Sequence, residues 1–195
     1  MKNNSVNSVN NLKKKQQIYK SASLTFMNNQ NYLLCEEYRY KEKKALIHTI
    51  GGKVETFDKD LLHTAIREFI EETNSEAHPN INCDLVEKNN LIEKLLLIIK
   101  DFTEYKDLCI NKELGYYHRY YLVKLNEKLS IEFINSILNL PLFFNSIYKT
   151  EVDLLLWINF QNNNQNNQNN QNNIIIDKKF SWLTKMFIKK IGKCL

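Results

Sequence analysis

Two short stretches decide the fold: Gly51–Glu55, with the sequence GGKVE, and Arg67–Asn74, with the sequence REFIEETN. The second stretch lies in a predicted helix that Asp58 or Asp60 caps and that runs to about Thr73. The buried stripe of this helix consists of apolar residues at helical spacing: Leu62, Ala65, Ile66 and Phe69. Glutamates three and four positions apart share a helix face, and paired glycines let a backbone approach closely. The pattern predicts a carboxylate cluster beside a close backbone turn.

The glutamates of the second stretch would repel one another without a cation between them. They are Glu68, Glu71 and Glu72. Mg²⁺ prefers a few carboxylates together with water and substrate phosphate. Arg67 lies four residues before Glu71, where it can neutralise or orient one carboxylate. A carbonyl of the Gly51–Gly52 turn offers another oxygen, so these residues indicate a divalent-metal site.

This arrangement resembles the Nudix box, which spans Gly52 to Ser75 here. The box is a glycine, five residues, a glutamate, seven residues, then Arg-Glu-aliphatic-any-Glu-Glu-any-Gly-aliphatic. The matching residues are Gly52, Arg67, Glu68, Glu71 and Glu72, with Phe69 at the aliphatic position and Gly51, Lys53 and Glu55 in the common opening. Asp58 stands near the place of the first glutamate, with eight residues before Arg67, so the loop is one residue longer. Asn74 replaces the glycine and Ser75 the last aliphatic residue.

The resemblance implies an α/β fold, a Nudix-like α/β/α sandwich with a mixed central sheet. It also implies a pyrophosphohydrolase that cleaves a phosphoanhydride bond of a nucleoside diphosphate linked to another moiety. Mg²⁺, with Mn²⁺ as a substitute, would bind the Gly52 carbonyl and the three glutamates Glu68, Glu71 and Glu72. Arg67, Glu68 and Glu71 would be catalytic, and Lys53 and Glu55 would contact substrate. Glu151, with Glu113 as an alternative, is a candidate general base outside the box.

Two alternatives to this function stay open. The same family includes enzymes that act on RNA caps or other polyphosphates, and the lysine-rich ends of this chain suit a polyanion such as RNA. The altered loop at Asp58 is also compatible with a Nudix-fold binding module without catalysis. A homodimer is a further alternative to a monomer, and no pattern in the sequence marks an interface that would decide between them.

The chain divides by composition into four parts. Residues 1–17 form an Asn/Ser/Lys-rich leader that we expect to be disordered, residues 18–160 the folded domain, residues 161–173 a Gln/Asn tract, and residues 174–195 a C-terminal amphipathic helix that we expect to pack on the domain. Within the domain we predict strands at residues 22–26, 32–40, 45–50, 116–125 and 152–160, and helices at 58–73 and 131–147. We predict a helix for residues 91–105, with a strand as the alternative.

Composition limits the class of protein. The 195 residues carry a formal charge of +5 and are 43% hydrophobic, which is ordinary for a globular chain. The four cysteines contain no C-x-x-C pair, so spacing predicts neither a zinc site nor a disulfide framework. Apolar runs are too short for a membrane span, and the lysine-rich start is unlike a secretory signal. We therefore expect no membrane insertion and a cytoplasmic location, with the nucleus as the alternative.

Overall fold

The computed structural model describes residues 17–29, 31–39, 43–73, 85–130, 154–159 and 180–191. These residues form a mixed seven-stranded sheet, three α-helices and one 3-10 helix. The elements in chain order are β1 Ile18–Asn28, β2 Asn31–Arg39, β3 Lys44–His48, β4 Ile50–Lys53, α1 Leu61–Thr73, α2 Leu85–Ile99, the 3-10 helix Lys100–Phe102, β5 Thr103–Asn111, β6 Tyr116–Lys124, β7 Leu154–Asn159 and α3 Trp182–Ile191. The predicted α/β class with a mixed sheet is confirmed.

The sheet opens where β1 and β2 separate. These strands pair only at their hairpin end, through Met27 with Tyr32 and Asn28 with Asn31. Further along, β3 pairs with β2 and β4 pairs with β1, both antiparallel. β6 lies parallel to β1, β5 pairs with β6, and β7 pairs with the opposite edge of β2, from Asn31 to Glu36. The junction between β3 and β4 therefore lies in the gap that the diverging hairpin strands leave.

Apolar residues occupy both faces of the sheet. On one face Ala22, Leu24 and Phe26 of β1 join the core made by α1 and α2, where Phe26 meets Phe69 edge-on at 5.3 Å between ring centroids. On the other face Tyr120 of β6 stacks on Phe187 of α3 at 4.6 Å. Since strand side chains alternate between faces, one strand can serve both layers. Burying each large apolar side chain contributes about 1.5–3 kcal/mol.

Several predicted elements differ from the structure in their bounds: the strand predicted over residues 22–26 is Ile18–Asn28, for example, and two other differences have a clear tertiary cause. The helix predicted over residues 91–105 begins at Leu85 and ends at Ile99, and Thr103 begins β5. β5 pairs with β6 along its length, so sheet formation outweighs the apolar periodicity there. The strand predicted over residues 45–50 is divided at Thr49, because its two halves pair with different neighbours. The helix predicted over residues 131–147, the leader 1–16 and the tract 161–173 lie outside the described residues.

Candidate functional site

The N-terminus of α1 uses the two candidate capping aspartates differently. The Asp60 Oδ1 atom accepts a hydrogen bond from the His63 backbone amide at 2.8 Å, as a helix cap does. Asp58 instead turns inward, and its side chain is fully buried. Asp60 is therefore the cap, and Asp58 is available for another contact.

Asp58 and Arg67 form a buried bidentate ion pair. Arg67 Nε lies 2.9 Å from Asp58 Oδ1 and Nη2 lies 3.1 Å from Oδ2. The Arg67 side chain is only 4% exposed. Its Nη2 also donates to the Lys53 carbonyl at 2.9 Å, which ties the helix to the end of β4. The Asp58 carboxylate and the Lys53 carbonyl thus fix the Arg67 guanidinium independently of its contacts with the glutamates.

Hydrogen bonds keep the Asp58 carboxylate charged. Burial alone would raise the pKa of Asp58, but bonds from Arg67, the Glu55 amide, Thr64 and His63 outweigh it and lower the pKa to about 2. The Glu55 amide and the Thr64 hydroxyl lie 2.8 Å and 2.9 Å from Asp58 Oδ2. A carboxylate held so firmly in its charged form is a poor proton acceptor, so Asp58 positions Arg67.

Glu68 lies directly against the backbone of β4. Its Oε1 is 2.8 Å from Arg67 Nη1. A Cβ atom added at Gly52 would lie 2.3 Å from both Cδ and Oε2 of Glu68, closer than real Cβ contacts occur. Gly51 has a similar constraint, because a Cβ there would lie 2.4 Å from the Ala22 carbonyl oxygen on β1. The two glycines therefore let β4 pass between β1 and the Glu68 carboxylate.

Glu71 has cationic partners on both carboxylate oxygens. Arg67 Nη1 lies 2.8 Å from its Oε2, and Lys88 of α2 contacts its Oε1. Burial, followed by the charge of Arg67, lowers the pKa of Lys88. Beside this pair lies a cavity of about 660 Å³, bounded by α1, α2 and the loop before α1, with Phe57, Lys59, His63, Arg67 and Lys88 among its lining residues.

Glu72 lies in a different environment, next to Cys35 and His48. Each of the three offers one ligand atom, and these atoms lie within 4.8 Å of one another. Cys35 and His48 are directly paired across β2 and β3, so their side chains share a sheet face. A cavity of about 350 Å³ adjoins the group, with Glu37, His48, Gly51, Glu72 and His118 among its lining residues. Within the described part of the chain, this is the one such group of three or more His, Cys, Asp or Glu residues.

His118 is a buried neutral side chain at the same cavity. Its ring nitrogens lie 2.6 Å from Ser21 Oγ and 2.9 Å from Ser23 Oγ. Burial lowers the pKa of His118 to about 4. At neutral pH the ring therefore carries no charge, and its bonds to two serines of β1 hold it in the strand layer.

The structure separates the three glutamates that the sequence grouped. Glu68 faces Gly52, Glu71 faces Lys88, and Glu72 faces Cys35 and His48. Lys53, the last residue of β4, and Glu55 are exposed, and Glu113 is exposed in the turn after β5. Glu151, Asn74 and Ser75 lie outside the described residues.

The sequence interpretation missed three residues near the glutamates. They are Lys88, Cys35 and His48. Lys88 carried no signal because its helix was predicted to begin later. Cys35 and His48 could have been found only from the strand register, since neither has metal-ligand spacing within its own strand.

The donor set in the second half of α1 fits a hard divalent cation. The Glu68 carboxylate lies against a side-chain-free backbone at Gly52, and Glu72 follows one helical turn later. Carboxylate and backbone oxygens are the ligands that Mg²⁺ and Mn²⁺ accept. The ion pair between Arg67 and Asp58 fixes this part of the helix to the loop that precedes it.

Comparison with known proteins finds similar structures but no similar sequences. No protein-family model matches the sequence, and a search of curated proteins finds no match. Two structures of a bifunctional NMN adenylyltransferase/ADP ribose pyrophosphatase from Francisella tularensis are similar, one of them complexed with AMP and a Mn ion. The AMP complex is 17% identical with a TM-score of 0.49, covering 92% of this chain and 42% of that one. The second is 20% identical with a TM-score of 0.40, covering 75% and 34%.

A third similar structure is a NUDIX hydrolase from Alicyclobacillus acidocaldarius. It is 14% identical with a TM-score of 0.41, covering 74% of this chain and 80% of that one. This chain spans less than half the length of either Francisella chain. The fold assignment rests on the strand order and register described above and uses none of these similarities. Among the residues that the structure describes, none of the helices has the length and apolar character needed to cross a membrane.

Proposed function

We propose that this protein is a metal-dependent Nudix-type hydrolase that cleaves a phosphoanhydride bond in a nucleoside diphosphate derivative. The observation that carries the proposal is the position of Glu68, whose carboxylate lies against the Gly52 backbone and contacts Arg67. The sequence resemblance supports it, since these three residues match the family pattern. The proposal also gives Asp58 the place of the first box glutamate, on the strength of its bidentate pair with Arg67.

Glu68 and Glu72, with the Gly52 carbonyl, would hold Mg²⁺, for which Mn²⁺ can substitute. Bound there, such a cation supplies Lewis-acid stabilisation of phosphate charge and lowers the pKa of a bound water. Arg67 orients Glu68 through its 2.8 Å contact, and Asp58 prevents Arg67 from turning away. The chain's own contribution is therefore a pre-organised set of oxygen ligands on a rigid helix.

Glu71 is proposed as a third carboxylate of the site, released from Lys88 when substrate binds. In the structure both of its oxygens accept bonds from cations. A polyphosphate offers Lys88 a competing anion, and a lysine is a suitable point charge for phosphate. Exchange of Lys88 from Glu71 to phosphate would leave one Glu71 oxygen for the cation while Arg67 keeps the other.

The remaining proposed roles belong to residues at the rim. Lys53 and Glu55 follow the glycine pair and are exposed, so they are free to approach a bound substrate. The general base is proposed as a box glutamate or as Glu151 from outside the box, with Glu113 as the alternative. Asp58 is excluded from this role by its lowered pKa and full burial.

A binding module without catalysis is a second candidate. The observation that favours it is the pairing of Glu71 with both Arg67 and Lys88, because a compensated carboxylate is less attractive to a metal ion. Such a module would bind nucleotide ligands without Mg²⁺ and release no product. The cavity of about 660 Å³ beside Lys88 and Phe57 is large enough for a small ligand.

The test is hydrolysis of a substrate panel by the purified chain with Mg²⁺ or Mn²⁺. The panel contains nucleoside diphosphate derivatives, dinucleoside polyphosphates and capped RNA, so that the best substrate separates small-molecule from RNA-directed activity. Glu68→Gln should lower kcat on the order of 10²–10³-fold, as loss of one electrostatic group at a reacting phosphate does. Glu104→Gln is the matched control, since Glu104 is an exposed residue paired with Lys124. Ligand binding without turnover would replace the hydrolase proposal with the binding module.

A further inference from the structure

A sulfur, a nitrogen and a carboxylate oxygen converge at the junction of β2, β3 and α1. Cys35 Sγ lies 3.4 Å from both ring nitrogens of His48, and the Glu72 carboxylate completes a group within 4.8 Å. Cys35 is fully buried, and the His48 side chain is 15% exposed. Three side chains from three separate elements thus present different donor atoms to one point.

The surroundings of the group favour a bound cation. The Glu72 carboxylate lies beside the buried Cys35 thiol. Glu37 Oε2 lies 3.1 Å from His48 Nε2, so a second carboxylate borders the group. A divalent cation among these donors would let the sulfur bind as thiolate.

The chemistry of the donors selects the kind of cation. Mg²⁺ takes oxygen ligands, whereas thiolate and imidazole favour borderline and softer divalent ions such as Zn²⁺. The His48 Nδ1 atom lies 3.1 Å from the Thr49 carbonyl oxygen, the kind of contact that fixes the ring of a metal-binding histidine. With Nδ1 donating to that carbonyl, Nε2, which lies 3.1 Å from Glu37 Oε2, is the nitrogen that would bind a metal ion.

The number of ligands indicates an open site. Structural zinc sites use four protein ligands, while sites with three leave a position for water or substrate. The cavity of about 350 Å³ is lined by His48 and Glu72, which gives a small ligand access to the group. Glu72 follows Glu68 by one helical turn, so it lies between this group and the oxygen ligands at Gly52.

We propose that Cys35, His48 and Glu72 form a Zn²⁺-type metal site, which shares Glu72 with the proposed Mg²⁺ site and otherwise uses different ligands. The site binds Zn²⁺ or Co²⁺ in preference to Mg²⁺. It does not depend on the proposed hydrolase activity, because the binding is read without turnover.

The test is Co²⁺ binding to the full chain after chelator treatment, with a non-thiol reductant present. Wild-type protein should show a near-ultraviolet thiolate-to-cobalt charge-transfer band at one equivalent, and Zn²⁺ but not Mg²⁺ should abolish it. Cys35→Ser should lose the band. Cys109→Ser is the matched control, because Cys109 lies on β5 away from this strand pair and should leave the band intact. Far-ultraviolet circular dichroism verifies that each variant is folded.

A second variant keeps the proposal testable if Cys35→Ser fails to fold. His48→Gln should weaken Co²⁺ binding by at least the roughly 10–100-fold that loss of a group next to a metal ligand causes. No charge-transfer band in folded wild-type protein, a band that persists in Cys35→Ser, or unchanged affinity in His48→Gln would each overturn the proposal. Loss of hydrolysis with an intact band would count against the proposed function alone.

Discussion

Replacement of Asp58 by asparagine tests the buried ion pair that positions Arg67. The change keeps the size of the side chain and removes its negative charge. Arg67 then loses the partner of its Nε and Nη2 atoms, which lie 2.9 and 3.1 Å from the carboxylate. Because both side chains are almost fully buried, water cannot replace the lost contact.

The structure sets the size of the expected effect. Lowering the pKa of Asp58 from 3.8 to about 2 corresponds to about 2 kcal/mol in favour of the folded carboxylate. Breaking a buried ion pair by removing one partner costs roughly 3–5 kcal/mol, because a buried charge remains. We therefore expect Asp58→Asn to lower the free energy of unfolding by about 2–5 kcal/mol. For a chain of this size, that is a fall in Tm of roughly 5–15 °C.

Urea unfolding followed by tryptophan fluorescence measures this loss. Asp101→Asn is the matched control, because Asp101 is exposed in the 3-10 helix and should change stability by less than about 0.5 kcal/mol. The contribution of Asp58 is present above pH 4, near its unfolded pKa, and is lost as pH falls toward about 2. Wild type should therefore lose more stability over that interval than Asp58→Asn. Equal stability of wild type and Asp58→Asn at pH 7 would refute the assignment of Asp58 as the residue that positions Arg67.

Three further predictions concern Gly52, Phe187 and His118. Gly52→Ala should reduce hydrolysis and Mn²⁺ affinity measured by calorimetry, because its Cβ would lie 2.3 Å from the Glu68 carboxylate; unchanged values would contradict that contact. Phe187→Ala should lower the free energy of unfolding in urea by about 3–5 kcal/mol, since this 1% exposed ring stacks on Tyr120; a loss below 1 kcal/mol would mean that α3 does not seal the sheet. The folded pKa of His118 is lowered to about 4, so the free energy of unfolding of wild type should fall by about 3 kcal/mol between pH 6.5 and pH 4. His118→Gln should lose less stability over the same interval, as measured by urea unfolding at each pH. Parallel pH profiles would contradict it.

The sequence predicted the elements whose periodicity and composition agree with their tertiary contacts. The helix of Arg67 and Glu68 has its apolar stripe on the sheet side, and Ala65, Ile66 and Phe69 are fully buried there. The aromatic strand at Tyr116–Lys124 is central in the sheet because β-prone residues fill both of its faces. In each case local preference and long-range packing favour the same structure.

Other features depend on register and could not be predicted from periodicity. β5 begins at Thr103 because its partner β6 lies beside it, and nothing local marks that boundary. The partner of Asp58 was undetermined in the sequence, since one extra loop residue allows it to face either way. Cys35 and His48 become neighbours only when β2 and β3 pair in the observed register. The three glutamates share a helix face, but their partners lie on different elements, which are β4, α2 and the β2–β3 pair.

The most direct measurement of the central claim is Mg²⁺-dependent release of product from a panel of nucleoside diphosphate derivatives by wild type, Glu72→Gln and Glu104→Gln. The account predicts hydrolysis by wild type and by Glu104→Gln, and a loss on the order of 10²–10³-fold in Glu72→Gln without unfolding. Equal turnover in all three proteins would contradict the assignment of the α1 carboxylates as the site. No turnover by wild type with either Mg²⁺ or Mn²⁺ would contradict the hydrolase itself.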